Sequence, residues 1–282
     1  MKQINEVLVS AEWLNNNLGD EKLKVIDASW FMPGSGRNGK DEWFRKRIPG
    51  AVFFDFDGEI CDRSSPLPHM MPSVTQFEQA VSLLGIGNED TVVVYDSAGI
   101  FSAPRVWWMF KAMGHKQVAL LDGGLPAWEA AGFAIKTHQP VTPEKSDYKA
   151  SLMAERIIDR NALLVGINEG SVNVVDVRPA DRFAGAVAEP RPGVRSGHMP
   201  GAQNLPFPTL LSGGKFKSTD ELKALVSPTL SAEKHNVASC GSGVTACMLA
   251  LAAEHALNRV VTVYDGSWSE WGSDEALPIV KS

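Results

Sequence analysis

"HNVASCGSGVTACMLAL", residues 235–251, sets a cysteine between a short apolar run and a helix-like run. The turn that joins the two runs begins at Cys240 and contains Gly241 and Gly243. In sheets whose strands alternate with helices, ligands bind beyond the carboxyl ends of the strands. Because Cys240 directly follows the apolar run, we expect it at the end of a strand, where a ligand binds.

Four landmarks of the chain occur twice, in the same order. The pairs are "VIDAS" (25–29) with "VVDVR" (174–178), "RIPGAVFFD" (47–55) with "HMPGAQNLP" (198–206), "TVVVYDSAG" (91–99) with "HNVASCGSG" (235–243), and "LLDGGLPAW" (120–128) with "VYDGSWSEW" (263–271). The members of a pair lie about 145–150 residues apart, too far for a solenoid repeat. The polar stretch 136–149 contains two prolines and has the composition of a linker. The sequence therefore predicts two tandem domains, 1–140 and 150–282, with the boundary near residue 145.

Each copy alternates short apolar runs with amphipathic stretches. "TVVVY" (91–95) and "VVTVY" (260–264) are rich in β-branched residues, which is typical of buried strands. Helices are expected over 72–85, with Ser73 or Thr75 as the cap and Gly85 at the end, and over 103–115 and 245–257. The pattern predicts an α/β fold in which each domain is a mostly parallel sheet flanked by helices.

Composition narrows the class of protein. The chain has 282 residues and a formal net charge of -6, which argues against general nucleic-acid binding and against binding to an anionic membrane. No apolar run approaches the ~18 residues of a membrane span, and the start lacks the pattern of a secretory signal. The three cysteines form neither a disulfide framework nor a zinc motif. We therefore expect a cytoplasmic protein, a monomer, without cofactor or metal.

The turn after Cys240 has the makings of an anion site. Glycines at 241 and 243 allow the backbone N–H groups to face inward, and the helix that follows points its positive end at the same place. A cysteine there is expected to ionise readily and to hold a persulfide, Cys–S–S⁻, with the hydroxyls of Ser242 and Thr245 as further donors. Cys247 is interpreted as a core residue, and Cys61, in a polar segment, as an exposed thiol.

A phosphatase also uses a cysteine loop, but it normally carries an arginine six residues after the cysteine. Ala246 stands there, so a phosphate dianion would lack its bidentate clamp.

The two-copy layout, the "CGSGVT" loop and "DGSWSEW" resemble the rhodanese superfamily of sulfurtransferases, and within it the 3-mercaptopyruvate sulfurtransferases. The resemblance covers nearly the whole chain and includes "SSPLPHMMP" and "EPRPGVRSGHMPGA". It implies transfer of sulfur from 3-mercaptopyruvate through a Cys240 persulfide to a thiol, a thioredoxin-like dithiol or cyanide, with release of pyruvate. Asp96 matches Cys240 in the first copy and cannot take up sulfur, so the first domain is expected to be inactive.

Two alternatives remain open. Thiosulfate-using relatives typically carry basic residues after the cysteine, as in C-R-K-G-V-T, whereas this chain has Gly241 and Ser242. A doubly charged donor gains most from such cations, so thiosulfate is the second choice of donor. The other alternative is a non-catalytic rhodanese-like domain that carries sulfur or binds a partner.

The resemblance also implies the remaining site residues. Arg182 and Arg191 match the pair that clamps the substrate carboxylate, and Asp57, His69 and Ser242 match a proton relay. The loop residues Gly241, Gly243, Val244 and Thr245 are expected to bind substrate. Two further arginines of the same segment, Arg178 and Arg195, are interpreted as solvated charges of a loop.

Overall fold

The computed structural model of the chain describes residue 4, residues 6–140 and residues 142–282. Residues 1–3, 5 and 141, which include the start of the predicted first domain and one position of the predicted linker, lie outside this description. The chain divides into two compact units. Unit 1 comprises the chain up to Arg63, Met71–Met153 and Gly213–Phe216, and unit 2 comprises Ser64–Met70, Ala154–Ser212 and Lys217–Ser282. No helix within the described ranges is long and apolar enough to cross a bilayer.

Unit 1 is built on a parallel sheet of five strands in the order β1-β5-β4-β2-β3. Its strands are β1 (Leu8–Val9), β2 (Leu23–Asp27), β3 (Val52–Phe53), β4 (Thr91–Tyr95) and β5 (Val118–Leu121). Its helices are α1 (Ala11–Asn17), α2 (Gly39–Arg45), α3 (Val74–Leu83), α4 (Ala103–Ala112) and α5 (Gly124–Ala130).

Unit 2 has a second parallel sheet with the corresponding order, β6-β12-β11-β7-β8. The remaining strands of the chain are β6 (Ile157–Ile158), β7 (Val172–Asp176), β8 (Gln203–Asn204), β9 (Leu211–Ser212), β10 (Lys215–Phe216), β11 (His235–Ser239) and β12 (Thr262–Tyr264). The remaining helices are α6 (Arg160–Glu169), α7 (Ala180–Ala184), α8 (Thr219–Val226), α9 (Ala246–Leu257) and α10 (Ser267–Trp271). Short 3₁₀ helices span Ala154–Arg156, Phe207–Leu210 and Ser227–Thr229. The α/β class with two parallel sheets flanked by helices is thus confirmed.

The central strand of unit 1 is buried along its whole length because both of its faces are covered. All five residues of β4 are buried. One face contributes Val93 and Tyr95 to a core that includes Trp128. An aromatic cluster with ring centroids 5.3–6.3 Å apart adds to the interior of this unit, and it is formed by Phe54, Phe77, Phe110 and Tyr148. A strand buried on both faces is typical of parallel sheets, and this explains the continuous run "TVVVY".

Helix α3 shows how local sequence sets an element's limits. The Ser73 hydroxyl accepts the backbone N–H of Gln76, and the Gln76 side chain accepts the backbone N–H of Ser73, which forms a capping box. Gly85, with a φ of +70°, adopts the left-handed conformation just after the helix. The helix predicted over 72–85 is confirmed as Val74–Leu83, with Ser73 as its cap.

The interpretation of Cys61 as an exposed thiol is wrong. Its side chain is buried, and its Sγ lies 3.1 Å from the backbone oxygen of Asp57. Burial raises the pKa of the Cys61 thiol, and the nearby carboxylates of Asp57 and Asp55 raise it further. The polar letters around Cys61 concealed its burial because Glu59 and Arg63 are exposed while the thiol between them is not.

The last residues of the matching strands β2 and β7 are both buried aspartates, but their partners differ. Asp176 is paired with Arg178, whereas Asp27 has Ser29 at the corresponding position. Desolvation raises the pKa of Asp27 from 3.8 to about 7, and the hydrogen bonds from Ser29 only partly oppose it. Unit 1 thus retains a buried carboxyl group without an arginine beside it.

We expect Asp27 to lower the stability of the protein as the pH rises. Between about pH 4 and about pH 7 the folded state keeps the Asp27 proton and the unfolded state releases it, so the free energy of unfolding falls across this range. The free energy of unfolding of Asp27→Asn should equal that of the wild type near pH 4 and exceed it at pH 8 by up to about 4 kcal/mol. Urea denaturation at both pH values measures this difference.

Asp176→Asn is the matched control, because it takes an acceptor from Arg178 and should destabilise at pH 8. Equal stability of Asp27→Asn and wild type at pH 8 would contradict the expectation.

Candidate active site

Cys240 directly follows β11, the middle strand of the sheet in unit 2. The strand lies between β12 and β7, and Ser239 pairs with Asp176 in the parallel register. The Cys240 side chain is 1% exposed, so the sulfur occupies a confined space. The prediction that the cysteine stands at the carboxyl end of a strand is confirmed.

The loop after the cysteine, residues 241–245, leads straight into α9. Gly243 has a φ of +76°, which a residue with a side chain adopts only under strain. The backbone N–H groups of Ser242, Val244 and Thr245 have no hydrogen-bond acceptor within the described part of the chain. Three unsatisfied donors at the amino end of a twelve-residue helix favour a negative charge at this point.

Residues of helix α10 form hydrogen bonds with the backbone of Cys240 and Gly241. The Ser267 hydroxyl accepts the backbone N–H of Cys240 at 3.1 Å and donates to the Tyr264 carbonyl at 2.9 Å, and its oxygen lies 3.9 Å from the Cys240 sulfur. The backbone N–H of Trp268 donates to the Cys240 carbonyl at 2.9 Å, and that of Ser269 donates to the Gly241 carbonyl at 2.8 Å. Ser267 has a φ of +49°, a strained conformation for a residue with a side chain. These bonds fix the peptide that carries the thiol.

Cys247 behaves as a core residue, as its place two turns into the helical pattern predicts. It is fully buried on α9, and its sulfur lies 3.3 Å from the Gly243 carbonyl oxygen.

Arg182, in the short helix α7, reaches the cysteine loop. A methyl group placed on Gly241 would lie 3.2 Å from Nη2 and 3.8 Å from Nη1 of Arg182, so the guanidinium packs against this glycine. The carboxylate of Glu189 accepts from Nε at 3.1 Å and from Nη2 at 2.5 Å. Nη1 has no hydrogen-bond acceptor among the residues described. The absence of a side chain at position 241 therefore leaves room for a cation with free donors beside the cysteine loop.

The interpretation of Arg178 as a solvated loop charge is wrong. Its side chain is 1% exposed and binds the Asp176 carboxylate through Nε and Nη2, Glu189 through Nη1 at 3.0 Å, and the Gly197 carbonyl at 2.7 Å. Its guanidinium carbon lies 4.2 Å from the ring centre of Trp268. Arg178 is therefore a buried strut that connects the end of β7 with α10 and with the loop that carries Glu189.

Arg195 is not a solvated charge either. Its guanidinium donates to the backbone carbonyls of Trp271, Gly272, Asp274 and Leu277. It therefore holds the end of the chain that follows α10 in place.

The other predicted site residues differ in their surroundings. His69 is 3% exposed, has a φ of +62° and belongs to the segment Ser64–Met70 of unit 2. Asp57 belongs to unit 1, and its carboxylate accepts the indole N–H of Trp30 at 2.8 Å. Arg191 is half-buried. The roles of these residues stay predictions.

The matching loop of unit 1 shows what such a turn holds when no cysteine is present. Asp96 follows β4 as Cys240 follows β11, and it is completely buried. Its carboxylate accepts four backbone N–H bonds of 2.8–3.0 Å, from Ala98, Phe101, Ser102 and Ala103. In unit 1 the loop therefore encloses a negative charge that belongs to the chain itself.

Asp96→Asn should destabilise the protein by about 2–4 kcal/mol, because one amide group cannot satisfy donors that a carboxylate binds with both oxygens. Equilibrium unfolding in urea measures the loss. The matched control is Asp90→Asn, since Asp90 accepts a backbone N–H from Gly87 at 2.8 Å and should cost less. Wild-type stability of Asp96→Asn would show that the four bonds add nothing.

No group of three or more histidine, cysteine, aspartate or glutamate side chains suited to a metal ion occurs within the described residues.

Comparison with known proteins identifies the class to which this fold and loop belong. The model of the rhodanese-like domain matches the chain twice, over residues 10–131 and 159–274. The chain belongs to the rhodanese family.

Its relatives include the 3-mercaptopyruvate sulfurtransferase of Escherichia coli K12, which is 40% identical over 273 residues, covering 96% of each chain. The thiosulfate sulfurtransferase of Gallus gallus is 40% identical over 276 residues, covering 95% of this chain and 94% of that one. The crystal structure of SseA, a 3-mercaptopyruvate sulfotransferase from Escherichia coli, superposes with a TM-score of 0.84 at 36% identity and covers 94% of this chain and 99% of that one. The fold and the enzyme class, sulfurtransferase, follow from these matches.

Sequence reasoning missed three residues of the site. Glu189 appeared only as a letter of "EPR", Ser267 only as a letter of "DGSW", and Arg178 was assigned to solvent. The signal that identifies Arg178 is its spacing of two residues from Asp176, which ends a buried strand. No sequence signal marks Glu189, because its two arginine partners lie 7 and 11 residues away in an irregular segment.

Proposed function

We propose that this chain takes sulfur from 3-mercaptopyruvate onto Cys240 as a persulfide and passes it to a second nucleophile. The observation that carries the proposal is the placement of the Cys240 sulfur at a loop with three unsatisfied backbone N–H groups. A persulfide anion is the species that such donors would stabilise. The carboxylate of Asp96, held by the same kind of loop, supports this assignment.

In the first half-reaction the Cys240 thiolate attacks the sulfur of 3-mercaptopyruvate. An S–S bond forms, the C–S bond breaks, and its electron pair remains on carbon as the enolate of pyruvate. The proton that was on the substrate sulfur is transferred to that carbon, which leaves pyruvate and Cys240–S–S⁻. No external oxidant or reductant takes part. In the second half-reaction a thiolate or cyanide attacks the outer sulfur, and the Cys240 thiolate returns.

The proposed contact for the substrate carboxylate is the free edge of Arg182. Its Nη1 group and the second hydrogen of Nη2 remain available beside Gly241 after Glu189 has taken the other donors. A guanidinium edge matches a carboxylate in shape as well as charge. Arg191, half-buried in the same segment, is proposed as the second member of the clamp.

The proton transfer is proposed to involve Ser242, His69 and Asp57. Ser242 lies two residues after Cys240 in the cysteine loop and is 7% exposed. A histidine suits a relay because its ordinary pKa lies near neutrality. The carboxylate of Asp57 is oriented by its bond from Trp30.

Thiosulfate is the second candidate donor, favoured by the 40% identity to a relative named thiosulfate sulfurtransferase. The loop composition favours 3-mercaptopyruvate, because Gly241 and Ser242 supply no cation for an inorganic dianion. The ratio of kcat/KM for the two donors, with cyanide as the acceptor, decides between them. The physiological acceptor, the cytoplasmic location and the monomeric state stay predictions.

Cys240→Ser is expected to abolish turnover, by about 1,000-fold or more, because a hydroxyl cannot form a persulfide. Mass spectrometry of the wild type after incubation with 3-mercaptopyruvate should show a gain of one sulfur atom on the peptide that contains Cys240. Cys247→Ser is the matched control, since Cys247 is a fully buried core residue of α9 whose sulfur lies 3.3 Å from the Gly243 carbonyl oxygen, and it should retain activity. A domain that carries no catalytic activity would show neither turnover nor the added sulfur.

A further inference from the structure

Arg182 and Arg178 share one carboxylate, that of Glu189. The glutamate side chain is 4% exposed, although it lies in an irregular segment without helix or strand. One of its oxygens accepts from Nη1 of Arg178 at 3.0 Å and from Nε of Arg182 at 3.1 Å, and the other accepts from Nη2 of Arg182 at 2.5 Å. Both arginines are therefore held by a single side chain, and a change there affects both.

The bonds to Glu189 fix which edge of Arg182 remains free. A guanidinium has five N–H donors in a rigid plane. Glu189 binds the Nε edge, so Nη1 is directed away from the glutamate, on the side where a carbon placed on Gly241 would lie 3.2 Å from Nη2 and 3.8 Å from Nη1. Arg178, itself 1% exposed and bound to Asp176, anchors the glutamate from the other side. The orientation of Arg182 is thus set by a chain of buried ion pairs rather than by its own flexible stem.

Glu189 also sets the charge beside the cysteine loop. The cluster contains two carboxylates, Asp176 and Glu189, and two guanidiniums, Arg178 and Arg182. Its formal charge is therefore zero before a donor binds. A donor with one carboxylate gains directional hydrogen bonds from Nη1 without needing a large positive potential. A dianion needs that potential, and the glutamate reduces it.

We propose that Glu189 is a positioning residue for donor binding: it orients the free edge of Arg182 toward the cysteine loop and, by balancing its charge, favours a monocarboxylate donor over an inorganic dianion. The inference rests on the proposed reaction at Cys240. Glu189 does not contact the substrate in this proposal. It affects binding of the sulfur donor only through Arg182.

The test compares Glu189→Gln with the wild type, using 3-mercaptopyruvate and thiosulfate as donors and cyanide as the acceptor. A glutamine has one acceptor oxygen and no charge, so the orientation of Arg182 is lost while the net charge of the cluster rises by one. KM for 3-mercaptopyruvate should rise about tenfold, with kcat changed less, because the carboxylate is bound equally in the ground and transition states. The ratio of kcat/KM for 3-mercaptopyruvate to that for thiosulfate should fall about tenfold or more.

Glu254→Gln is the matched control, since Glu254 pairs with Arg156 at 2.8 Å in the same unit, near the far end of α9. It should leave the donor ratio unchanged. A purely structural role for Glu189 predicts that both donors fall by the same factor, and this result would overturn the proposal. An unchanged KM for 3-mercaptopyruvate would overturn it as well.

Glu189→Asp keeps the test decisive if the glutamine variant does not fold. It preserves the charge and shortens the reach, so KM for 3-mercaptopyruvate should rise, while the donor ratio should fall by less than in Glu189→Gln. A ratio that shifts by tenfold despite the retained charge contradicts the charge argument. Failure of the wild type to use 3-mercaptopyruvate at all is a separate result, which would refute the proposed function rather than the role of Glu189.

Discussion

Backbone N–H groups that converge beyond the end of a central strand are the constraint on which the rest of this molecule depends. A turn of this kind between a strand and a helix leaves donors that the chain cannot satisfy with its own carbonyls. In unit 1 the carboxylate of Asp96 satisfies them permanently. In unit 2 the residue at the same place is Cys240, whose side chain supplies a matching charge only when it is ionised or carries a second sulfur. The same strand–turn–helix arrangement thus encloses a carboxylate in one copy and, among the described residues, leaves backbone donors unsatisfied beside a thiol in the other.

The surroundings of the two loops have diverged in the same sense. At the end of β7 the buried Asp176 is neutralised by Arg178, and that arginine leads through Glu189 to Arg182 beside the cysteine loop. At the end of β2 the corresponding Asp27 has Ser29 for a partner, and burial raises its pKa to about 7. With Ser29 in place of an arginine, unit 1 lacks the first member of this ion-pair chain. In unit 1 the loop already binds the carboxylate of Asp96, so an arginine beside it would have no anionic ligand to bind there.

The sequence was sufficient for the elements whose residues carry local signals. Apolar β-branched runs predicted β4 and β12, the helical pattern over 72–85 with Ser73 or Thr75 as its cap predicted α3, and the placement of Cys240 followed from the alternation of strand and helix. The arginines were different. Arg178, Arg182 and Arg195 occur in one polar segment and look alike there. In the structure Arg178 is buried, Arg182 is largely buried beside the cysteine loop, and Arg195 donates to four backbone carbonyls.

The environments of these three arginines differ because each depends on hydrogen-bond acceptors that only the folded chain brings close to it. Arg178 meets Asp176 because β7 ends two residues earlier, and Arg195 meets the carbonyls that follow α10, nearly eighty residues away. Segment Ser64–Met70, which carries His69, groups with unit 2 although the chain on both sides of it belongs to unit 1. A pattern that repeats every few residues carries no information about which unit a segment joins. Local patterns therefore predicted strands and helix caps but not the positions of His69 and the arginines.

The ion cluster of Asp176, Arg178, Glu189 and Arg182 is not expected to add much to the free energy of folding, so its presence needs another explanation. Removing four charged groups from water costs several kcal/mol for each ion, and apolar residues of the same volume often stabilise a core as well or better. What apolar residues cannot supply is a guanidinium with a fixed plane, two donors engaged and an edge left open. Arg182 has that form because Glu189 holds its other edge and Arg178 holds Glu189. The energetic cost of the cluster is therefore better explained by the direction it gives to one cation than by any contribution to folding.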